Sequence, residues 1–191
     1  MAAFIQKEDC TYTSCYCEEN VWKICDGVRM NQPKFLDQFF AVFISNSHQS
    51  IPLWCQKAGN ISEDGLVVWD YHVILVHKRD EESLVYDLDT VLPFPCPFLQ
   101  YGRATLREDE ALQSRFQRFF RVIPATEFLE VFSSDRSHMK REDGSWMKPP
   151  PTYPPIHCGP STHNFPSFIS MVRGCGPGVV MDYSEFIVHF S

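Results

Sequence analysis

The apolar positions of this chain fall into short runs parted by polar or proline-rich stretches, and their spacing changes from run to run. Over residues 18–30, Val21, Trp22, Ile24, Cys25 and Val28 recur at three- and four-residue intervals, which predicts a helix with one apolar face. Thr13 or Ser14 is placed to cap its start, and Glu18 and Glu19 suit the positive end of its dipole. Gly27 weakens its far end and Pro33 lies in the connection beyond. Residues 39–45 and 51–56 are aromatic and β-branched, and the polar 46–50 between them predicts a hairpin. Residues 59–65 read as a surface loop. The strongest strand pattern covers 66–77; the charged 78–82 links it to 83–89 as an expected antiparallel partner.

Three prolines (Pro93, Pro95, Pro97) make 91–98 a rigid extended turn rather than a central strand. Helical spacing over 106–120 sets Leu112, Phe116, Phe119 and Phe120 on one side and puts Arg115, Arg118 and Arg121 on an expected solvated face. Pro124 ends that run, and 126–132 predicts another short helix. The polar segment 133–155 ends in a proline cluster at 149–155, which suits polyproline II and a binding partner, although an ordered connector over the domain is the reading adopted. Two short pieces, 165–171 and 184–190, flank a Gly-rich turn at 174–178. No internal repeat is visible.

At 191 residues the chain is long enough to bury a sizeable core, and a single domain, 1–191, is expected, with a loose lead-in at 1–12 and a Pro-rich connector at 140–165. Sixteen Phe predict a core built around rings. A net charge of -7 without a basic tract argues against nucleic acid as a partner. The first residues lack the apolar core of a signal peptide and no stretch approaches a membrane span, so the chain reads as intracellular and soluble. In that compartment the 8 cysteines are expected as free thiols. Cys15 and Cys17 form a CxC with no second close Cys/His pair, a weak zinc signal.

Cys17 stands at or just ahead of the predicted first helical turn, an environment expected to lower a thiol pKa. Cys15 is its rival, and periodicity does not separate them. A turn centred between Arg79 and Asp80 sets residue 77 opposite 82 and His72 opposite Asp87, so that the two share a sheet face. A carboxylate beside imidazole is what a cysteine–histidine couple requires, although a structural His–Asp bond is the simpler reading. Asp89 points the same way two residues on, and Asp70 shares the face of His72. Helix-borne thiol, strand-borne base and neighbouring acid, in the order Cys, His, Asp, follow the plan of papain-like and transglutaminase-like enzymes, which attack a carboxamide or peptide carbonyl through a thioester.

Four stretches carry a more specific likeness. They are 14–20 (SCYCEEN) followed by Trp22, 69–73 (WDYHV), 86–96 (YDLDTVLPFPC) and 134–139 (SDRSHM). Together they resemble the protein N-terminal glutamine amidohydrolase family along nearly the whole chain; the departures lie in the connectors at 78–82, 100–113 and 158–178. The resemblance implies Cys17 as nucleophile, His72 as base and Asp87 as acid. It implies conversion of an N-terminal glutamine to glutamate with release of ammonia, no metal or organic cofactor, and a place in the N-degron pathway of cytosol and nucleus. It also implies a mixed α/β (α+β) fold, a mainly antiparallel sheet flanked by helices around a papain/transglutaminase-like core. A monomer acting on proteins and peptides with a free N-terminal Gln is expected. Glu19, Asp70 and Asp89 are the candidates to bind the substrate's α-ammonium.

Overall fold

A computed structural model describes residues 5–191 of the chain. Its centre is strand β1, Phe39–Ser45, which pairs antiparallel with β4, His72–His77, on one side and β7, Phe119–Pro124, on the other. Outward from β4 lie β5, Leu84–Tyr86, and β6, Cys96–Pro97; outward from β7 lies β8, Val179–Met181. The sheet order is β6-β5-β4-β1-β7-β8, antiparallel throughout. A separate two-stranded ribbon joins β2, Ile51–Leu53, to β3, Val67–Trp69.

Period-two alternation divides the core between the two faces of this sheet. Phe39, Ala41, Phe43, Val73, Leu75 and Ile123 bury one face under helices α1, Cys17–Asn31, α3, Ala125–Val131, and α4, Phe165–Ile169. Val42, Ile44, Ile74, Val76, Phe120 and Val122 bury the other against α2, Phe98–Tyr101, and α5, Tyr183–Phe190. Cover on both faces explains why the central strands read as nearly unbroken apolar runs. The fold is α+β, a mainly antiparallel sheet flanked by helices.

Several elements differ from the sequence reading. The turn at 46–50 forms, with Asn46 donating to the carbonyls of Ser50, Arg115 and Gln117, but β1 and β2 belong to different sheets and make no hairpin. The run 66–77 breaks at Asp70, whose Oδ1 accepts from the Tyr71 N–H while its carbonyl accepts from the Ser45 hydroxyl; β3 and β4 separate there. The stretch 106–120 is not a helix but two short 3-10 turns running into β7. Its arginines mislead because Arg118 and Arg121 are buried: Arg118 fills a nest of Asp109 and the carbonyls of Pro52, Leu106 and Arg107, and Arg121 donates to Ser170 and Pro177 carbonyls. Of the lead-in at 1–12, residues 1–4 lie outside the described residues, and the remainder is not loose, forming a 3-10 turn, Lys7–Asp9, that leads to Tyr12.

Candidate active site

The start of α1 is fixed by an anchor that the capping prediction did not supply. Tyr16 occupies the N-cap without a side-chain bond, Cys15 takes a left-handed φ of 67°, and neither Thr13 nor Ser14 caps the helix. Instead Asn20 reaches back seven residues, accepting from the Thr13 N–H at 2.8 Å and donating to its carbonyl at 2.9 Å. Cys17 is thereby the first helical residue, half-buried against β4, with its sulfur beside the Val73 backbone N–H, one residue from His72.

His72 and Asp87 meet at 3.0 Å, Nε2 to Oδ1, both almost wholly buried. The pairing register is not the expected one. β4 and β5 align Leu75 with Tyr86 and His77 with Leu84, so continuing the ladder would set His72 opposite Asp89. The contact survives because β5 ends at Tyr86, and a shift of two residues preserves the face. Asp87 is locked by three donors: His72, the Asp89 N–H at 2.9 Å and the Tyr101 hydroxyl at 2.8 Å. Trp69 stacks on the imidazole at 5.3 Å. With Nε2 engaged, Nδ1 of His72 is buried without a hydrogen-bond partner and is the nitrogen free to accept a proton.

Burial alone would push the His72 pKa down, but Asp87, by charge and hydrogen bond, and then Asp89 and Glu18 hold it above its ordinary value; burial pulls Asp87 up, but His72 and the other donors keep it low. The thiol of Cys17 goes the other way from the sequence expectation. Burial, then Glu18, Asp89 and Asp70, push it well above the usual cysteine range, opposed by the Val73 N–H. The resting sulfur is therefore held as a thiol. Since Glu18 and Asp89 act on both Cys17 and His72, thiol and imidazole share one electrostatic neighbourhood.

Should His72 serve as a base in its neutral form, its raised pKa places the acidic limb of the rate profile above the ordinary histidine value. Asp87→Asn removes the largest raising influence, so that limb moves to lower pH by roughly one unit while kcat falls roughly 10³–10⁴-fold. A pH series of kcat/KM checks this; an unmoved limb would separate Asp87 from the titrating group.

The three acids proposed for the α-ammonium differ in how they are engaged. Both oxygens of buried Glu19 accept from Arg136 at 2.8 Å, so its charge is already spent on the fold. Asp89, partly exposed, accepts from the Tyr12 hydroxyl through Oδ1 at 2.6 Å, and its Oδ2 takes no hydrogen bond from the described residues. Asp70 is exposed at the strand break. Asp89 and Cys17 line one narrow crevice together with Val73 and Leu88. Ligand atoms of His72, Asp87 and Asp89 lie within 4.8 Å of one another, the one group among the described residues spaced to hold a cation, but both Asp87 oxygens are occupied by the donors above.

Sequence reasoning missed Tyr101, Tyr12 and Tyr71, whose hydroxyl donates to Glu18 Oε2 at 3.0 Å. Tyr71 lay within a singled-out motif; Tyr101 lay in a connector with no signal to mark it. Arg136 and His138 were inside the 134–139 motif, but nothing in one dimension paired them with Glu19 and Glu18.

The model of the N-terminal glutamine amidase family matches residues 12–190. The chain is 53% identical over 183 residues to the protein N-terminal glutamine amidohydrolases of Drosophila mojavensis and Drosophila grimshawi, covering 95% of this chain and 89% of each relative. The Drosophila ananassae protein of the same name is 52% identical over the same length.

Proposed function

The chain belongs to the N-terminal glutamine amidase family, and we propose that it hydrolyses the side-chain amide of N-terminal glutamine in proteins and peptides through a thioester on Cys17. The observation that carries this mechanism is the buried, hydrogen-bonded His72–Asp87 pair, which shares the influence of Glu18 and Asp89 with a Cys17 thiol that burial pushes up. Nδ1 of His72 takes the Cys17 proton as sulfur attacks the carboxamide carbon, and the imidazolium passes it to the departing ammonia. Neutral His72 then draws a proton from water, whose oxygen attacks the thioester; glutamate and the free thiol result. Asp87 holds the ring and stabilises its charged form. The Cys17 N–H at the first turn of α1 faces the developing oxyanion. A helix-borne thiol, strand-borne imidazole and adjacent carboxylate make this core papain- or transglutaminase-like in plan.

Selection of an N-terminal residue requires a receptor for its α-ammonium. Asp89 serves best, since it lines the crevice beside Cys17 and Tyr12 engages only its Oδ1; Asp70 supports it from the strand break, and Glu19 is withdrawn by Arg136. The product, an N-terminal glutamate, suits a step ahead of arginylation in an N-degron pathway of cytosol and nucleus. Among the described residues no helix is long and apolar enough to cross a membrane.

Mass spectrometry of a free Gln-initiated peptide, its N-acetylated form and an internal-Gln control tests this reading. Only the free-amine peptide gains the mass of amide-to-acid conversion, and Asp89→Asn raises its KM roughly 10- to 100-fold, the worth of a charged hydrogen bond, with Cys17 alkylation retained. Turnover of the acetylated peptide at the same rate would overturn α-ammonium selection.

A further inference from the structure

The 134–139 segment supplies no residue to the chemistry described above, yet it closes directly over the two carboxylates that follow Cys17. Arg136 neutralises Glu19 through two bonds. Its neighbour in the turn, His138, faces the other: Nε2 lies 3.6 Å from Glu18 Oε1, beyond hydrogen-bond reach and within ionic reach. Glu18 is fully buried, and its Oε1 has no hydrogen-bond partner; neither has either nitrogen of His138. The other Glu18 oxygen, Oε2, is shared by the Tyr71 hydroxyl at 3.0 Å and the Cys17 thiol at 3.7 Å. One buried carboxylate thus touches the thiol at one end and a histidine at the other.

We infer that His138 is a positioning residue that sets the ionisation of Cys17 through Glu18. The inference rests on Cys17 being the nucleophile. An uncompensated Glu18 opposes formation of a thiolate beside it, whereas an imidazolium at Oε1 cancels that field as the proton leaves sulfur. The charged and titratable groups around the couple are Cys17, His72, Tyr71, Tyr16 and Tyr153 about Glu18, and Asp135 and His163 about His138. Asp135 pairs with His163 at 2.9 Å on the outer side of His138. The imidazole is held in place by stacking on Phe165, centroids 4.2 Å apart.

That stacking separates a structural role from an electrostatic one. His138→Phe keeps a ring on Phe165 and removes the ring nitrogens that face Glu18. Site-resolved peptide mass spectrometry of Cys17 alkylation by iodoacetamide, followed against pH, reads the thiol directly. In His138→Phe the curve moves to higher pH and the rate at fixed pH falls roughly three- to tenfold, a shift of up to one unit. Glu18→Gln moves it to lower pH, and the double variant follows Glu18→Gln alone. For the natural activity, kcat falls in step with alkylation and KM stays near that of the parent. A His138→Phe curve coincident with the parent overturns the inference, as does a double variant as slow as His138→Phe. Should the Phe variant fail to fold, His138→Gln carries the same comparison. Retention of deamidation by Cys17→Ala would overturn the proposed mechanism, while the alkylation curves still judge the Glu18–His138 coupling.

Discussion

Alanine at position 17 yields a folded protein whose release of ammonia from a Gln-initiated peptide falls roughly 10⁴- to 10⁶-fold, the loss expected when a covalent nucleophile is deleted. The fold tolerates the change because Cys17 is only half-buried and its sulfur closes no essential bond; Glu18 Oε2 keeps its stronger donor, Tyr71. Loss of one buried sulfur costs about 1 kcal/mol or less. Serine at 17 supplies a hydroxyl in place of the thiol but no comparable rate, since it is the weaker nucleophile in a site arranged around sulfur. Single-turnover mass spectrometry with a parallel thermal melt checks both halves of the expectation. Activity within tenfold of the parent in a folded Cys17→Ala would transfer the nucleophile elsewhere. Cys15→Ala is the control, since Cys15 stands outside α1 with its thiol against Ser14.

The second large effect is on stability. Arg136→Met leaves Glu19, fully buried, without either of its donors, and releases the carbonyls of Pro151 and Tyr153 that Arg136 also binds. Breaking a buried ion pair from one side costs about 3–5 kcal/mol. For a chain of this size that lowers Tm by roughly 6–20 °C. Glu19→Gln in the same background recovers part of the loss, because the stranded charge is gone. Arg136→Lys does not substitute, since a point ammonium cannot span both carboxylate oxygens and the carbonyls beside them. Thermal or urea unfolding of the three variants checks this; an Arg136→Met protein as stable as the parent would mean that Glu19 finds another donor or takes up a proton.

Legibility from sequence followed the range of the interactions concerned. Helix α1, the short helix after Pro124 and the segments that became β1, β4 and β5 were readable, because their apolar spacing is local. The approach of His72 to Asp87 was also within reach, since the pair is fifteen residues apart across one connector. Even there the register was off by two, and only the parity of a strand preserved the conclusion. Wherever a long-range partner decides, local pattern failed. Residues 106–120 carry helical spacing, but Arg118 has a buried nest built from Pro52, Leu106, Arg107 and Asp109, which pulls the chain out of any helix. The helix-start argument for a low Cys17 pKa failed for the same reason, as burial and three carboxylates push the thiol up. The choice of Cys17 over Cys15, and of Asp87 over Asp89, came from family resemblance and not from spacing.

The Arg136–Glu19 pair joins residues 117 positions apart. On a ribosome Glu19 emerges long before the arginine that neutralises it, and β1 waits equally for β7. An amino-terminal fragment that stops short of residue 136 therefore holds α1 with a carboxylate that lacks its ion partner, which opposes docking of α1 on the sheet until most of the chain has been made. The surroundings of Cys17 are thus completed late in synthesis, and a prematurely ended chain lacks them.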